Sequence, residues 1–156
     1  MPELVFKTIT IDVQNKSNDF TFEDLLSHRD VTPTDLNGKI IVLSYITSWC
    51  GVCVQELPTL KKIQKLFPTN VKVALVCPGA SDTREKILSF YKRRNLTFEL
   101  WYDEDSHEFN KYKFTGFPTL AVLDQNGETV HIHTGYMDDI QIDKRLEKII
   151  KKLIKN

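Results

Sequence analysis

Lys39-Ile40-Ile41-Val42-Leu43-Ser44-Tyr45-Ile46 runs into Trp49-Cys50-Gly51-Val52-Cys53, and Val54-Gln55-Glu56-Leu57-Pro58-Thr59-Leu60 follows. The first segment is a short, almost unbroken apolar run, which reads as a buried strand. The last opens a helical pattern, with apolar residues at Val54, Leu57, Leu60, Ile63, Leu66 and Phe67. Two cysteines three apart, between a strand and a helix start, read as a redox pair rather than a metal clip.

Working outward, Pro58 lies inside the predicted helix. It removes a backbone donor and crowds the carbonyl four residues back, so a kink is expected there, and Pro68 ends the helix. Val71 to Cys77 is the next strand, so 39–77 forms a strand–helix–strand unit with parallel pairing and a right-handed crossover. Ser81 or Asp82 is expected to cap a helix reaching about Asn95, with Ile87, Leu88 and Tyr91 inward. Thr97 to Trp101 reads as a strand. Ser106 to about Tyr112 reads as a short helix, with Asp103, Glu104 and Asp105 at its start, where the dipole favours acids. Pro118–Leu123, the turn Asp124-Gln125-Asn126-Gly127 and Glu128–His133 form an expected antiparallel hairpin. A last helix starts at Asp138 or Asp139, with Ile142, Leu146, Ile149, Ile150 and Leu153 on its apolar side and lysines crowding its C-terminal half. Upstream, Leu4–Ile11 has strand character, a polar turn follows at 15–19, and Phe20–Phe22 and Val31-Thr32 are short strands. Asn37-Gly38 is a turn signal into the central strand.

No linker, repeat or low-complexity tract divides the 156 residues, so residues 1–156 are read as a single domain, with 1–38 as an N-terminal β extension. Lys plus Arg equals Asp plus Glu, at 21 each, which gives no electrostatic case for nucleic acid or an anionic membrane as main partner. No apolar run approaches the ~20 residues of a membrane span. Met1-Pro2-Glu3 lacks the start of a signal peptide. This leaves a cytoplasmic protein or one from which a targeting segment has been removed. Three cysteines are too few for a disulfide framework.

A thiol must ionise before it attacks a disulfide. At a helix N-terminus the free N–H groups and the dipole stabilise the thiolate, and a CxxC thiol's pKa falls from ~8.5 into roughly 3.5–7.5. Cys50, at the outer end, is the expected attacking sulfur. Cys53, one turn in and more buried, is the expected resolving thiol. Three-residue spacing at a helix start puts the two sulfurs within bonding reach.

Trp49-Cys50-Gly51-Val52-Cys53 resembles the WCxxC motif of the thioredoxin superfamily. Pro58 matches the family's helix-kinking proline, and Gly116-Phe117-Pro118-Thr119 resembles its cis-proline loop. The resemblance runs from about Phe20 to the C-terminus. The strand region before residue 39 and the added helix–strand unit at about 82–101 are similar to the TlpA-like branch, which includes the ResA-type proteins. The resemblance implies an α/β thioredoxin fold: a central mixed sheet flanked by helices, with the N-terminal β extension and a helix–strand insertion. It implies a bacterial thiol-disulfide reductase of the cell envelope, acting on protein disulfides such as those of apocytochrome c. Its electrons would come from an upstream thiol-disulfide protein, with no organic cofactor and no metal. It also implies a cis Pro118, with the Phe117 backbone offered to an extended substrate, and Trp49, Phe117 and Pro118 as the substrate-binding residues.

Glu56 has its own argument. Three residues after Cys53, it shares that cysteine's side of the helix, where a carboxylate could take the resolving thiol's proton. ResA-type proteins carry a glutamate at this place; the competing reading is an exposed first-turn Glu. Thioredoxin's buried aspartate on the preceding strand is replaced here by Ser44, and Gly51-Val52 replaces Gly-Pro. These departures leave the direction of electron flow open.

The other reactive side chains carry blander readings. Cys77 is a small residue at a strand end, with a peroxidatic or sensor role as the alternative. His131 and His133 share a strand face but read as surface or hairpin residues, with a Cys–His metal module as the alternative. His28 and His107 are isolated, and Lys92-Arg93-Arg94 is a solvated helix face. Trp49 either packs beside the site or fills core, and Tyr45 and Phe117 are candidates for the substrate face. A binder whose CxxC is dispensable is a further alternative.

Overall fold

The computed structural model describes residues 19–36, 38–135 and 139–155, and the side chains of 139–141 lie outside that description. The expected strand over 4–11, the turn at 15–18, Asn37 and the cap Asp138 also lie outside the described residues.

Four helices and seven strands follow in chain order among those residues: β1 (Phe22–Asp24), β2 (Asp30–Val31), β3 (Ile40–Tyr45), α1 (Gly51–Leu66), β4 (Val71–Pro78), α2 (Arg84–Arg93), β5 (Glu99–Asp103), α3 (His107–Lys111), β6 (Thr119–Leu123), β7 (Thr129–Thr134) and α4 (Asp139–Lys155). The strands form one mixed sheet in the order β2-β1-β5-β4-β3-β6-β7. β3 and β4 pair in parallel, with Val42 opposite Val73, and β4 and β5 also pair in parallel. β6 pairs antiparallel to β3 and to β7. The N-terminal β1 pairs antiparallel to β5, so the β extension and the helix–strand insertion are neighbours that build one side of the sheet together.

β3 sits inside the sheet and all six of its residues are buried, which is why it reads as an almost continuous apolar run rather than an alternation. Ile40 and Val42 face one layer with Leu57, Leu60 and Ile63 of α1, Ile87 and Phe90 of α2, and Ile142, Leu146 and Ile150 of α4. Ile41, Leu43 and Tyr45 face the other, with Phe20, Phe22, Trp101, Phe109 and Phe114. Each such fully buried Val, Leu, Ile or Phe side chain contributes roughly 1.5–3 kcal/mol over an exposed one.

Helix boundaries follow local chemistry, with some corrections. α1 keeps Pro58 inside it and closes at Leu66, where the Phe67 N–H donates to the Ile63 carbonyl. Phe67 precedes Pro68 and leaves the helical region at φ −129°, ψ 60°. α2 is capped by Thr83, whose hydroxyl accepts from the Lys86 N–H at 3.2 Å, not by Ser81 or Asp82. Its inward residues are Ile87, Phe90 and Tyr91, with Leu88 only half-buried. Asp103 serves α3 as expected: its carboxylate accepts from the Glu108 and Phe109 N–H groups at 3.0 and 2.8 Å.

Candidate active site

The redox pair sits where β3 hands over to α1, at the end of the sheet to which the β4–α2 and β5–α3 connections also lead. Cys50 and Cys53 are joined by a disulfide, with Cα atoms 5.4 Å apart. Cys50 is the N-cap of α1 in extended geometry, and its sulfur accepts from the Cys53 N–H at 3.2 Å. That sulfur therefore lies on the unsatisfied donors and the positive end of a 16-residue helix, where a thiolate released by reduction is favoured. Cys50 retains 9% of its surface and Cys53 none, so an incoming disulfide reaches Cys50 first.

One turn beyond Cys53 on the same buried stripe lies Glu56, only 3% exposed. The exposed first-turn reading is therefore ruled out. Its carboxyl Oε1 accepts from the Ser44 hydroxyl at 2.6 Å. Burial pushes the Glu56 carboxyl up to about 7, and the Ser44 hydrogen bond pulls in the opposite direction. A side chain with that affinity gives up and takes back a proton near neutrality.

The Phe117–Pro118 peptide is cis, and Pro118 is buried. The Pro118 carbonyl accepts from the Gly135 N–H at 2.8 Å, and the Thr119 hydroxyl donates to the Gly116 carbonyl at 2.6 Å. Both ends of the loop are thereby held. Phe117 packs against the apolar cluster that contains Cys50 and Cys53. It stacks on Phe109 with centroids 5.1 Å apart and meets the edge of Trp49 at 5.7 Å. Trp49 is 63% exposed, which excludes core filling. Together with the half-exposed Val52 it forms an apolar rim beside the disulfide. Tyr45 does not join that rim: it is buried on the opposite face of the sheet against Phe109 and Phe114.

The reading of the sequence missed how the insertion holds the WCxxC loop. The Asp82 carboxylate accepts from the Ser48 N–H at 2.6 Å, and the Ser81 carbonyl accepts from the Trp49 indole at 3.0 Å. Asp82 is held in turn by the Tyr102 hydroxyl, which donates to its carbonyl at 2.9 Å. Gly79 permits the approach of Tyr102, since a Cβ there would meet the phenol oxygen at 2.9 Å. The run Ser81-Asp82-Thr83 offers three cap-type residues in sequence, and only the fold assigns Thr83 to the helix and Asp82 to the loop.

Cys77 is fully buried on β4. Burial first, then the Asp82 and Asp103 carboxylates, push its thiol far above the ordinary range. Both effects oppose the thiolate that a peroxidatic role needs. His133 is buried, which corrects the surface reading, and His131 is half-buried. Burial is the main cause of the lowered affinity of both imidazoles for protons, His131 falling to about 4. Among the described residues no group of three or more His, Cys, Asp or Glu side chains is arranged to hold a metal ion.

A family model described as Redoxin matches residues 12–150. The chain is 27% identical over 139 residues to the thiol-disulfide oxidoreductase ResA of Geobacillus kaustophilus, spanning 89% of this chain and 79% of that protein. It is also 27% identical over 142 residues to the thioredoxin-like protein YneN of Bacillus subtilis, spanning 90% and 82%. Among solved structures, a DsbF homologue from Corynebacterium diphtheriae superposes with a TM-score of 0.72 at 19% identity, covering 95% of this chain and 96% of that one. The lipoprotein thioredoxin Etrx1 of Streptococcus pneumoniae gives 0.70 at 24% identity, with 86% and 99% covered. These superpositions carry the fold.

Proposed function

The chain belongs to the Redoxin family, and from that premise we propose that it is a ResA-type thiol-disulfide oxidoreductase that reduces disulfides in protein substrates. The observation that carries this is the Cys50–Cys53 disulfide across the first turn of α1, with the Cys50 sulfur as the helix cap. In the reduced protein the Cys50 thiolate attacks a substrate disulfide. One new S–S bond forms, the substrate's own S–S bond breaks, and one substrate thiolate leaves. Cys53 passes its proton to Glu56 and attacks the Cys50 sulfur, which closes the Cys50–Cys53 disulfide and expels the second substrate thiolate. Two electrons have then moved from the protein to the substrate, and an upstream dithiol protein restores the reduced pair.

The Phe117–Pro118 loop is the proposed seat for an extended substrate segment, with Trp49 and Phe117 covering its apolar side chains. Apocytochrome c is the proposed substrate class, because its paired cysteines must be reduced before they bond to haem, and ResA is the name that several relatives carry.

A redox titration with thiol counting tests the reading. The wild type is expected to show one two-electron transition that exposes two thiols, and Cys50→Ser to show none. Absence of that transition in the wild type would refute it.

A further inference from the structure

Ser44 breaks the apolar run of β3, a strand that otherwise reads Ile-Ile-Val-Leu-Tyr. It is fully buried, with Leu75 and Leu120 as its register partners on the two neighbouring strands. A hydroxyl in that setting is costly unless it is hydrogen-bonded. Its oxygen donates at 2.6 Å to Oε1 of Glu56, a carboxyl that is itself buried one turn beyond Cys53. β3 is paired on both edges, so the donor cannot move away, and the carboxyl is held by a fixed point of the sheet rather than by its own flexible stem.

We propose that Ser44 is the positioning residue for proton transfer at the resolving step: its hydroxyl fixes Oε1 of Glu56, leaves Oε2 to carry the proton, and favours the ionised carboxylate that accepts it. The inference rests on Glu56 as the acceptor of the Cys53 proton and adds the residue that sets when Glu56 is ready. Other titratable groups share this layer: Cys53 on α1, Cys77 on β4, Tyr91 on α2 and Tyr102 on β5, with His131 and His133 on β7 and Arg145 of α4 near them. Burial raises the Glu56 carboxyl, and the Ser44 hydroxyl acts against that rise. A hydrogen bond that favours the charged form and is then lost raises a carboxyl's pKa, and about one pH unit corresponds to a tenfold change in the ionised fraction.

The test is stopped-flow reaction of the reduced protein with 5,5′-dithiobis(2-nitrobenzoate), following release of the second thionitrobenzoate, which reports Cys53 attacking the Cys50 mixed disulfide. Ser44→Ala is expected to slow that step about tenfold at pH 6 and to leave it unchanged at pH 9. Ser44→Thr, which keeps the hydroxyl, is expected to stay within about twofold of wild type at both. Uniform slowing by Ser44→Ala at every pH, or no slowing at all while Glu56→Gln abolishes the pH-dependent limb, would overturn the role of Ser44 and leave that of Glu56 standing. A wild-type profile in Glu56→Gln would remove the acceptor itself. Titration of the Glu56 carboxyl by ¹³C NMR gives a second reading in the oxidised protein. Its midpoint is expected to rise in Ser44→Ala, and an unmoved midpoint overturns the inference.

Discussion

Replacing Glu56 by Gln is expected to make the protein more stable above neutral pH and to leave it nearly unchanged in acid. Glu56 has an ordinary value of 4.5 and is pushed up to about 7 by burial in the folded chain. Between those values the folded state holds a proton that the unfolded chain has released, so stability falls as pH rises. Below 4.5 both states are protonated and the penalty is absent; above about 7 it is complete. At ~1.4 kcal/mol per pH unit the loss is about 3 kcal/mol, a large share of a typical domain stability of roughly 5–15 kcal/mol. Gln is uncharged at every pH and nearly isosteric, and its carbonyl can still accept from Ser44. Wild type alone would hide the effect. The half-buried His131, lowered to about 4, gains stability for the fold as pH rises from 4 to 6.5, which opposes Glu56 over much of the same window. The raised carboxyls of Asp103 and Glu108 add to the Glu56 trend. The difference between wild type and Glu56→Gln removes those shared contributions. Urea unfolding of the disulfide form, repeated from about pH 4.5 to about pH 8.5, measures that difference, with equal slopes m as the check that only stability has changed. A difference that stays constant within ~0.5 kcal/mol across the series would refute the argument, since it would mean that the buried carboxyl titrates as an exposed one does.

Asp82→Ala, which strips the acceptor from the Ser48 N–H, is expected to cost about 2 kcal/mol and to lower Tm by roughly 4–8 °C. Asp82→Asn should retain about half of that in the same thermal scan, and a Tm unmoved by Asp82→Ala counts against the clamp. Cys77, buried and held protonated, is expected to resist iodoacetamide in the reduced native protein while Cys50 reacts. Mass mapping of the labelled peptides decides it, and labelling of Cys77 at a rate close to that of Cys50 would contradict its burial.

Much of the fold was legible in the chain because the strong signals are local. Ile40–Tyr45 and Val71–Pro78 are central strands buried at nearly every position, and a nearly continuous apolar run is what such a strand requires. α1 and α4 carry their buried residues three and four apart, so their stripes could be read without knowing what covers them. The errors occur where several residues have the same local chemistry. Ser81, Asp82 and Thr83 are all good caps, and the assignment among them is made by Ser48, 34 residues upstream of Asp82. Leu88 and Phe90 are both apolar, and the choice between them depends on the rotation of α2 over the sheet. His133 lies on a hairpin strand, where nothing local signals burial, and only the tertiary packing buries it.

The sequence by itself determined the redox pair and its place at a strand-to-helix junction, since both are a matter of spacing within a few residues, while the proline loop came from the resemblance of Gly116-Phe117-Pro118-Thr119 to the family's cis-proline loop. The tertiary structure decided what surrounds them. It closed Glu56 into the core and set Ser44 against it, put Trp49 on the rim and Tyr45 underneath, and made the insertion a brace for the WCxxC loop. Those outcomes depend on burial and on contacts across 12 to 34 residues of chain. A carboxyl's proton affinity is fixed by the dielectric around it and by its nearest donor, and neither exists until β3 and α1 have packed.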